Sequence, residues 1–181
     1  MTTGVGAISV KADRDKMKQA LTGRNKAMFI IGVSVGLRIS DLLQLRIGDL
    51  RNKDNVTITE QKTGKQRTIT LSQTVKDEVA KMEGADDEFM FKSQKGANQP
   101  ISRVQAYRIL NDAAQKAGIA AKIGRIGTHT LRKTFGAIAY KNGTDITELM
   151  YIFGHSTPRM TLNYIGITSE KVADVYKAIE V

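Results

Sequence analysis

The sequence feature that most constrains the fold is a short change of hydrophobic period between Asn55 and Leu71. Apolar Val56 and Ile58 alternate with threonines, and a second alternating run, TITL, follows the turn sequence KTGK. A period of two is typical of a half-buried strand, and two such runs around a short polar turn predict a β-hairpin. We expect this hairpin to pack beside helices, because a two-stranded sheet has too little core of its own.

Helical spacing dominates the rest of the chain. Apolar residues three and four apart predict helices around Met17, over residues 25–35, around Val75 and Val79, after Ser102, and over residues 131–139 and 146–153. Ser40 is expected to cap a further helix that follows the GLR turn. The apolar run 89–91 predicts one more short strand.

One domain is the expected organisation. With 181 residues and 41% apolar content, the chain is long enough for a single well-buried core. It shows no internal repeat, low-complexity tract or linker. The prediction is therefore one domain over residues 1–181 of the α+β class, mainly helical, with a small antiparallel β-sheet.

The charge balance is strongly basic. The chain has 28 lysines and arginines against 18 acidic residues, a net charge of +10, which favours a polyanionic partner, nucleic acid before membrane. A solvated basic surface would give the same count. The absence of cysteine excludes disulfides and thiolate sites, and two histidines leave little for a transition metal. No stretch has the length and apolar character of a membrane span or signal peptide, so we expect a soluble intracellular protein.

The stretch from Gly127 to Tyr164 holds both histidines and the clearest site chemistry. His129 and Arg132 lie three residues apart at the start of an apolar-periodic run, a spacing that places two side chains on one face of a helix. His155 follows a second apolar run, and Tyr164 comes nine residues later. Together these groups could surround one anion. Taken singly, a histidine in a helix is more often a core residue, and a tyrosine is more often an amphipathic packing residue.

Two segments upstream contribute further cations. Arg38 lies in a turn between apolar residues, where an unpaired charge would be costly. A salt bridge to Asp41 or Asp49 would satisfy it, and so would a phosphate, which suits a planar guanidinium; from this segment alone the salt bridge is favoured. Lys62 and Lys65 lie at the hairpin tip. Each could simply be solvated, or its long side chain could reach into a groove and donate a proton.

A further group of polar side chains follows Ser102, which is expected to cap a helix. The group has the chemistry for phosphate and base-edge contacts, although a solvated face fits it equally. Its members are Arg103, Gln105, Tyr107 and Arg108, and Lys122 and Arg125 add charge shortly before Gly127.

Four motifs, GLRISDLLQL, QKTGK, HTLRKTF and GHSTPRMTLNY, resemble in order and spacing the signatures of the tyrosine recombinases, the phage integrase family. The resemblance runs from about Ile8 to the end of the chain and corresponds to that family's C-terminal catalytic domain. Each motif alone is weak, and their common order makes the resemblance specific. It implies the fold of that domain, double-stranded DNA as partner, and a cytoplasmic, nucleoid-associated location.

The resemblance also assigns the cationic site residues by position. Arg38 and Arg132 match the two arginines that clamp the scissile phosphate and stabilise charge developing at phosphorus. Lys62 matches the hairpin lysine that protonates the departing 5′ oxygen. Lys65 is the alternative, because the register of a hairpin is hard to fix from one sequence.

The remaining site residues follow from the same resemblance. His129 resembles the proton-handling histidine, His155 matches the position that hydrogen-bonds a phosphate oxygen, and Tyr164 would be the nucleophile. A phenol with a pKa of about 10 needs a nearby base and cationic neighbours to attack. Cleavage would leave a 3′-phosphotyrosyl bond and a free 5′ hydroxyl, with no metal, cofactor or ATP required.

Family members normally carry an N-terminal core-binding domain, and this sequence starts almost at the catalytic domain. We therefore expect the core-binding domain to be absent, as in a short integrase of a prophage remnant or a trimmed catalytic half. Such a chain should bind DNA weakly and with strong salt dependence. The tail, residues 169–181, has an apolar stripe that its own core or a neighbouring subunit would cover. The resemblance implies that the tail packs on a neighbouring subunit, and so a homo-oligomer. The rival functions are a DNA-binding regulator that keeps the fold without turnover and a type IB topoisomerase-like relaxing enzyme.

Overall fold

The structure is a computed structural model that describes residues 6–127 and 129–167, together with residues 177 and 179. Its architecture is mainly helical with one antiparallel hairpin, as predicted. In chain order the elements are α1 (Lys11–Ala20), α2 (Gly23–Val35), α3 (Ile39–Leu43), α4 (Ile47–Leu50), β1 (Asn55–Thr59), β2 (Gln66–Thr70), α5 (Gln73–Ala80), α6 (Arg103–Lys116), α7 (Ala120–Ile123), α8 (Thr130–Lys141), α9 (Ile146–Phe153) and α10 (Pro158–Ile165).

The hairpin has the register that its alternating sequence indicates. Asn55 pairs with Thr70 at one end and Thr59 with Gln66 at the other. The inward side chains of both strands pack against the main core, whereas the threonines face solvent. At the tip, Gly64 adopts a left-handed conformation with φ +66°, which a glycine tolerates without strain. This tip carries both candidate lysines.

Helix α2 lies at the centre of the main core. Met28, Phe29 and Ile31 are almost completely buried, and α2 packs against both α5 and α8. The approach to α8 is close, since a Cβ atom at Gly32 would lie 2.6 Å from Leu131 Cδ1. Because Arg132 follows Leu131, this packing fixes where Arg132 enters the site.

A second, smaller cluster joins α8, α9 and α10. Leu149, Phe153 and Ile165 are buried in it, and Tyr164 packs on its edge. At Gly136 a Cβ atom would lie 2.6 Å from Phe153 Cζ. The glycine therefore allows these helices to come together beneath Tyr164.

Two local predictions were wrong. Residues 89–91 do not form a strand, because within the described residues the pairing here is limited to two isolated bridges, Arg46 with Phe89 and the neighbouring Lys92 with Pro100. Ser40 does not cap α3; Arg38 occupies the N-cap position, and Ser40 lies inside the helix. The preceding turn therefore ends two residues earlier than expected.

The predicted role of residues 169–181 lies outside the described part of the chain, apart from residues 177 and 179. Among the residues that are described, none of the helices combines the length and apolar character that crossing a bilayer requires.

Candidate active site

Arg132 is the most deeply placed of the predicted site residues. Its side chain is 3% exposed, in the first turn of α8. Nη1 donates to the carbonyl oxygen of Gly36 at 2.7 Å, and Nη2 donates to that of Phe153 at 3.2 Å. Burial lowers the pKa of Arg132 to about 10, so the group is still cationic at neutral pH. One guanidinium thus joins the turn before α3 to the end of α9.

The turn between α2 and α3, residues 36–38, carries Arg38 and packs tightly against α8; we call it the Arg38 turn. Gly36 has φ +61°, and a Cβ atom there would lie 2.6 Å from Phe135 Cδ1, so the position requires glycine on both counts. Arg38 follows two residues later with its side chain 19% exposed. The turn therefore brings a second guanidinium to the region that Arg132 occupies.

The ion-pair partner of Arg38 is Glu60, with Nη1 2.6 Å from Oε2. The prediction that Arg38 forms a salt bridge with Asp41 or Asp49 was wrong. Asp41 Oδ1 accepts a hydrogen bond from the main-chain N–H of Gln61 at 3.1 Å, and Asp49 caps α4. Sequence proximity favoured the aspartates, but the hairpin brings in a carboxylate from 22 residues away.

Tyr164, in α10, faces His129 at the start of α8. The phenol oxygen lies 3.3 Å from Nδ1 of His129, within hydrogen-bond reach. Burial raises the pKa of Tyr164 above its usual 10, and the positive charges of Arg132 and Arg38 offset part of that increase. Burial, together with the charge of Lys133, lowers the pKa of His129 below 6.5. At neutral pH the imidazole is thus uncharged and able to accept the phenol proton.

His155 lies next to Tyr164 as well. It follows Gly154, which ends α9 in a left-handed conformation, and its ring centroid is 5.1 Å from that of Tyr164. Its Nδ1 pairs with the buried Thr161 hydroxyl at 3.0 Å, so Nε2 is the nitrogen through which it could contact a ligand. Burial, then the charge of Arg132, lowers the pKa of His155.

Lys62 is exposed at the hairpin tip, in the turn between β1 and β2. Its charge contributes to lowering the pKa of His129, which places it within electrostatic reach of the site. Lys65 is exposed as well. The structure brings Arg38, His129, Arg132, His155 and Tyr164 together and holds Lys62 on a hairpin at the rim.

Sequence reasoning missed two charged residues on that hairpin, Glu60, which is buried, and Arg67, which is half-buried. Glu60 follows β1 in the inward phase of Val56 and Ile58, and Arg67 shares the inward face of β2. Arg67 donates from Nη1 to the carbonyl oxygen of Ile152 and from Nη2 to that of Val35, both at 2.8 Å. The sequence did contain a signal for both residues. They fall at the inward-facing positions of the alternating pattern, where a charged side chain must find a partner.

The site as a whole suits a phosphate diester. Two fixed guanidinium groups can hold its oxygens by charge-assisted hydrogen bonds, and a phenol with a neighbouring imidazole can supply a nucleophile. No group of three or more histidine, cysteine, aspartate or glutamate side chains that could hold a metal ion occurs in the described residues. The arrangement holds a nucleophile, a neighbouring imidazole and two cations, which are groups that transesterification at phosphorus uses.

Residues 10–171 match the Phage integrase family. The probable integrase/recombinase YoeC of Bacillus subtilis is 43% identical over 167 residues, covering 90% of each chain. The tyrosine recombinase XerD of Oceanobacillus iheyensis is 29% identical and covers 90% of this chain, which spans 57% of that relative.

Solved structures confirm the predicted fold class. The crystal structure of XerA recombinase superposes with a TM-score of 0.75 at 19% identity, covering 100% of this chain and 67% of that one. The catalytic domain of bacteriophage HP1 integrase matches with a TM-score of 0.62 at 25% identity, covering 96% of this chain and 95% of that domain.

Proposed function

The chain belongs to the phage integrase family, and from that premise we propose that it cleaves and rejoins DNA strands as a tyrosine recombinase, through a covalent 3′-phosphotyrosyl intermediate. The observation that carries the proposal is the contact between the Tyr164 hydroxyl and Nδ1 of His129 at 3.3 Å, near the buried Arg132 and the partly exposed Arg38. The geometry therefore supports a site in which a nucleophile, a base and an anion clamp act together.

Binding of the scissile phosphate would fall to Arg38 and Arg132. Their positions are fixed before DNA arrives, by Glu60 and by main-chain carbonyl groups respectively. Donors fixed in advance stabilise charge developing at phosphorus without reorganising during the reaction, which is the most effective form of electrostatic catalysis. His155 would donate from Nε2 to a phosphate oxygen.

Cleavage would proceed by in-line displacement. The Tyr164 oxygen attacks phosphorus as its proton passes to His129, a new P–O bond to tyrosine forms, and the bond from phosphorus to the 5′ oxygen breaks. Lys62 gives its proton to that departing oxygen. In rejoining, a 5′ hydroxyl attacks the phosphotyrosyl bond and Tyr164 recovers its proton. One phosphodiester bond replaces another, so the exchange requires no ATP.

Double-stranded DNA is the proposed partner. XerH recombinase has been crystallised with its difH substrate, and a lambda integrase dimer with a COC′ core site. The net charge of +10 supports the same kind of partner here. We further propose that residues 169–181 pack against a second copy of the chain when DNA is bound.

The test is formation of a covalent adduct with a pool of nicked duplexes whose sequence around the nick is randomised. Wild-type protein should yield a protein–DNA adduct on denaturing electrophoresis, and Tyr164→Phe should yield none. Tyr151→Phe is the matched control, since Tyr151 is 87% exposed on α9. An adduct from Tyr164→Phe would refute the assignment of the nucleophile.

Two other results would overturn the proposed function. Binding without any adduct, under conditions where the protein is folded, would favour a DNA-binding regulator. Relaxation of arbitrary supercoiled plasmid, without strand exchange between duplexes, would favour a type IB topoisomerase-like enzyme.

A further inference from the structure

Glu60 is a buried carboxylate at the base of the hairpin tip. It follows β1, is 7% exposed, and precedes Lys62 by two residues. Taking a carboxylate out of water is unfavourable unless it is paired and hydrogen-bonded. The side chain must therefore have partners that compensate for burial, and those partners define what it can do.

A single oxygen of this carboxylate contacts two segments. Glu60 Oε2 lies 2.6 Å from Arg38 Nη1 and accepts a hydrogen bond from Thr63 Oγ1 at 2.7 Å. Arg38 belongs to the turn before α3, and Thr63 immediately follows Lys62. The carboxylate therefore links the proposed phosphate clamp directly to the loop that carries the lysine.

Main-chain contacts of the same residue close the tip around Lys62. The carbonyl oxygen of Glu60 accepts from the N–H of Gly64 at 2.8 Å, and the N–H of Glu60 donates to the carbonyl oxygen of Lys65 at 2.9 Å. Lys62 thus lies in a closed turn that Glu60 holds through both its side chain and its main chain.

The contact with Glu60 leaves Arg38 able to bind phosphate. It uses Nη1, which is buried, while the side chain as a whole is 19% exposed, so the other guanidinium nitrogens are left for an anion. Burial alone would raise the pKa of Glu60, but the contacts with Arg38 and Thr63 lower it further than burial raises it. The group is accordingly a carboxylate at neutral pH.

We propose that Glu60 is a positioning residue for strand cleavage, whose carboxylate sets the place of Lys62 relative to the phosphate held by Arg38. This inference rests on the proposed function, in which Lys62 protonates the departing 5′ oxygen. Glu60 touches neither the phosphate nor the leaving group, and it acts through Arg38 and Thr63.

A variant of Glu60 could be slow because Lys62 is displaced or because the fold is weakened. A substrate whose leaving group needs no proton distinguishes these two causes. When sulfur replaces the bridging 5′ oxygen at the cleaved phosphate, a thiolate departs. The pKa of a thiol, about 8.5, is far below that of an alcohol, so the thiolate leaves without a general acid. A defect confined to proton donation disappears with this substrate, whereas loss of phosphate binding or of folding persists.

The experiment measures single-turnover adduct formation by the full chain on a duplex that wild-type protein cleaves, with oxygen and with sulfur at the bridging position. With oxygen, Lys62→Ala should be slower than wild type by about 100-fold, as expected for loss of a general acid. Glu60→Gln should be slower by about tenfold, since the lysine is retained but displaced. With sulfur, Lys62→Ala should approach the wild-type rate, and Glu60→Gln should regain most of its loss, with the remainder reflecting weaker support of Arg38.

The matched control is Glu83→Gln, which makes the same change of charge at an exposed position in the loop after α5. It should match wild type on both substrates. A loss in Glu60→Gln that sulfur leaves unrepaired, or no loss beyond that of Glu83→Gln, would overturn the role of Glu60 while Lys62→Ala still responds to sulfur. If Lys62→Ala is equally slow on both substrates, the proposed role of Lys62 itself fails.

Thr63→Val gives a second variant in case Glu60→Gln folds poorly. It removes the hydroxyl that donates to Glu60 and changes only an exposed position of the tip. A smaller loss than in Glu60→Gln, again repaired by sulfur, is expected. Thr57→Val, which removes a hydroxyl on the solvent face of β1, should have no effect, and equal losses in the two threonine variants would contradict the proposal.

Discussion

At the scale of single residues, Tyr164 shows burial and charge acting in opposite directions. Burial raises the pKa of its phenol, while Arg132 and Arg38 lower it without cancelling the increase. The hydroxyl is therefore protonated at neutral pH and needs an acceptor. His129 supplies one, because its lowered pKa keeps the imidazole uncharged under the same conditions.

The pairing of Tyr164 with His129 predicts a particular pH dependence. The pKa of His129 is lowered from 6.5, so the neutral form persists as pH falls through 6.5 and is lost only at more acid pH. The single-turnover rate of adduct formation should therefore keep more than about half of its neutral-pH value at pH 6.5 and fall by about tenfold per unit below the lowered pKa.

His129→Gln should be slower at neutral pH and should lack this acid limb. Rates are measured by rapid quench at constant ionic strength, with circular dichroism at each pH to establish that the protein is folded. A limb with its midpoint above pH 6.5 would contradict the assignment of His129 as the proton acceptor.

At the scale of elements, the hairpin was the most predictable part of the fold. Its alternation fixed the strands and the tip within a residue or two, because only one face of each strand is buried. Glu60 and Arg67 escaped notice, since their partners lie on α2, α9 and the Arg38 turn, which no local pattern connects to the hairpin. Residues 89–91 were misassigned because an apolar triplet does not reveal whether a second chain pairs with it.

The site could be predicted where its residues belong to short motifs. The sequence predicted five residues that lie together in the structure: Arg38, His129, Arg132, His155 and Tyr164. The main-chain partners of Arg132 could not be predicted, because every residue has a carbonyl group and the choice among them depends on helix packing. The ion pair of Arg38 depends likewise on where the hairpin docks.

Packing of α8 against α9 and α10 predicts the effect of Gly136→Ala. The added methyl group would lie 2.6 Å from Phe153 Cζ and 2.7 Å from Ile165 Cγ2, so the helices must separate. Overpacking of this kind should lower the free energy of unfolding by about 1–3 kcal/mol. Adduct formation should fall by more than this loss of folded protein explains, because Tyr164 moves with α10.

The measurements are urea unfolding and single-turnover adduct formation. Lys141→Ala, an exposed substitution at the end of α8, is the control and should leave both unchanged. Wild-type stability in Gly136→Ala would show that Phe153 and Ile165 yield without moving the helix.

At the scale of the whole molecule, the charge of +10 controls how the chain meets DNA. Some of the positive charge is used internally, since Lys122 pairs with the buried Asp13 at 2.6 Å, and Arg132 and Arg67 serve main-chain carbonyl groups. Exposed lysines such as Lys62 and Lys65 can contact phosphates. Contacts with phosphates release counterions and carry no direct information on sequence.

Affinity for DNA should accordingly depend strongly on salt. If about six phosphates are contacted, raising salt from 50 to 200 mM should weaken binding on the order of a thousandfold. Fluorescence anisotropy with duplexes of unrelated sequence would measure this, and the slopes of log affinity against log salt should agree among them. A salt-insensitive complex with one short duplex would contradict the prediction.

The anchoring of Arg132 by main-chain atoms bears on how such a site can change over evolutionary time. Its donors reach the carbonyl oxygens of Gly36, Ile152 and Phe153. The hydrogen bonds themselves do not depend on which side chains stand at positions 152 and 153, so the sequence there can drift within the limits of packing without releasing the guanidinium. The three-dimensional place of this arginine can therefore outlast much of the surrounding sequence.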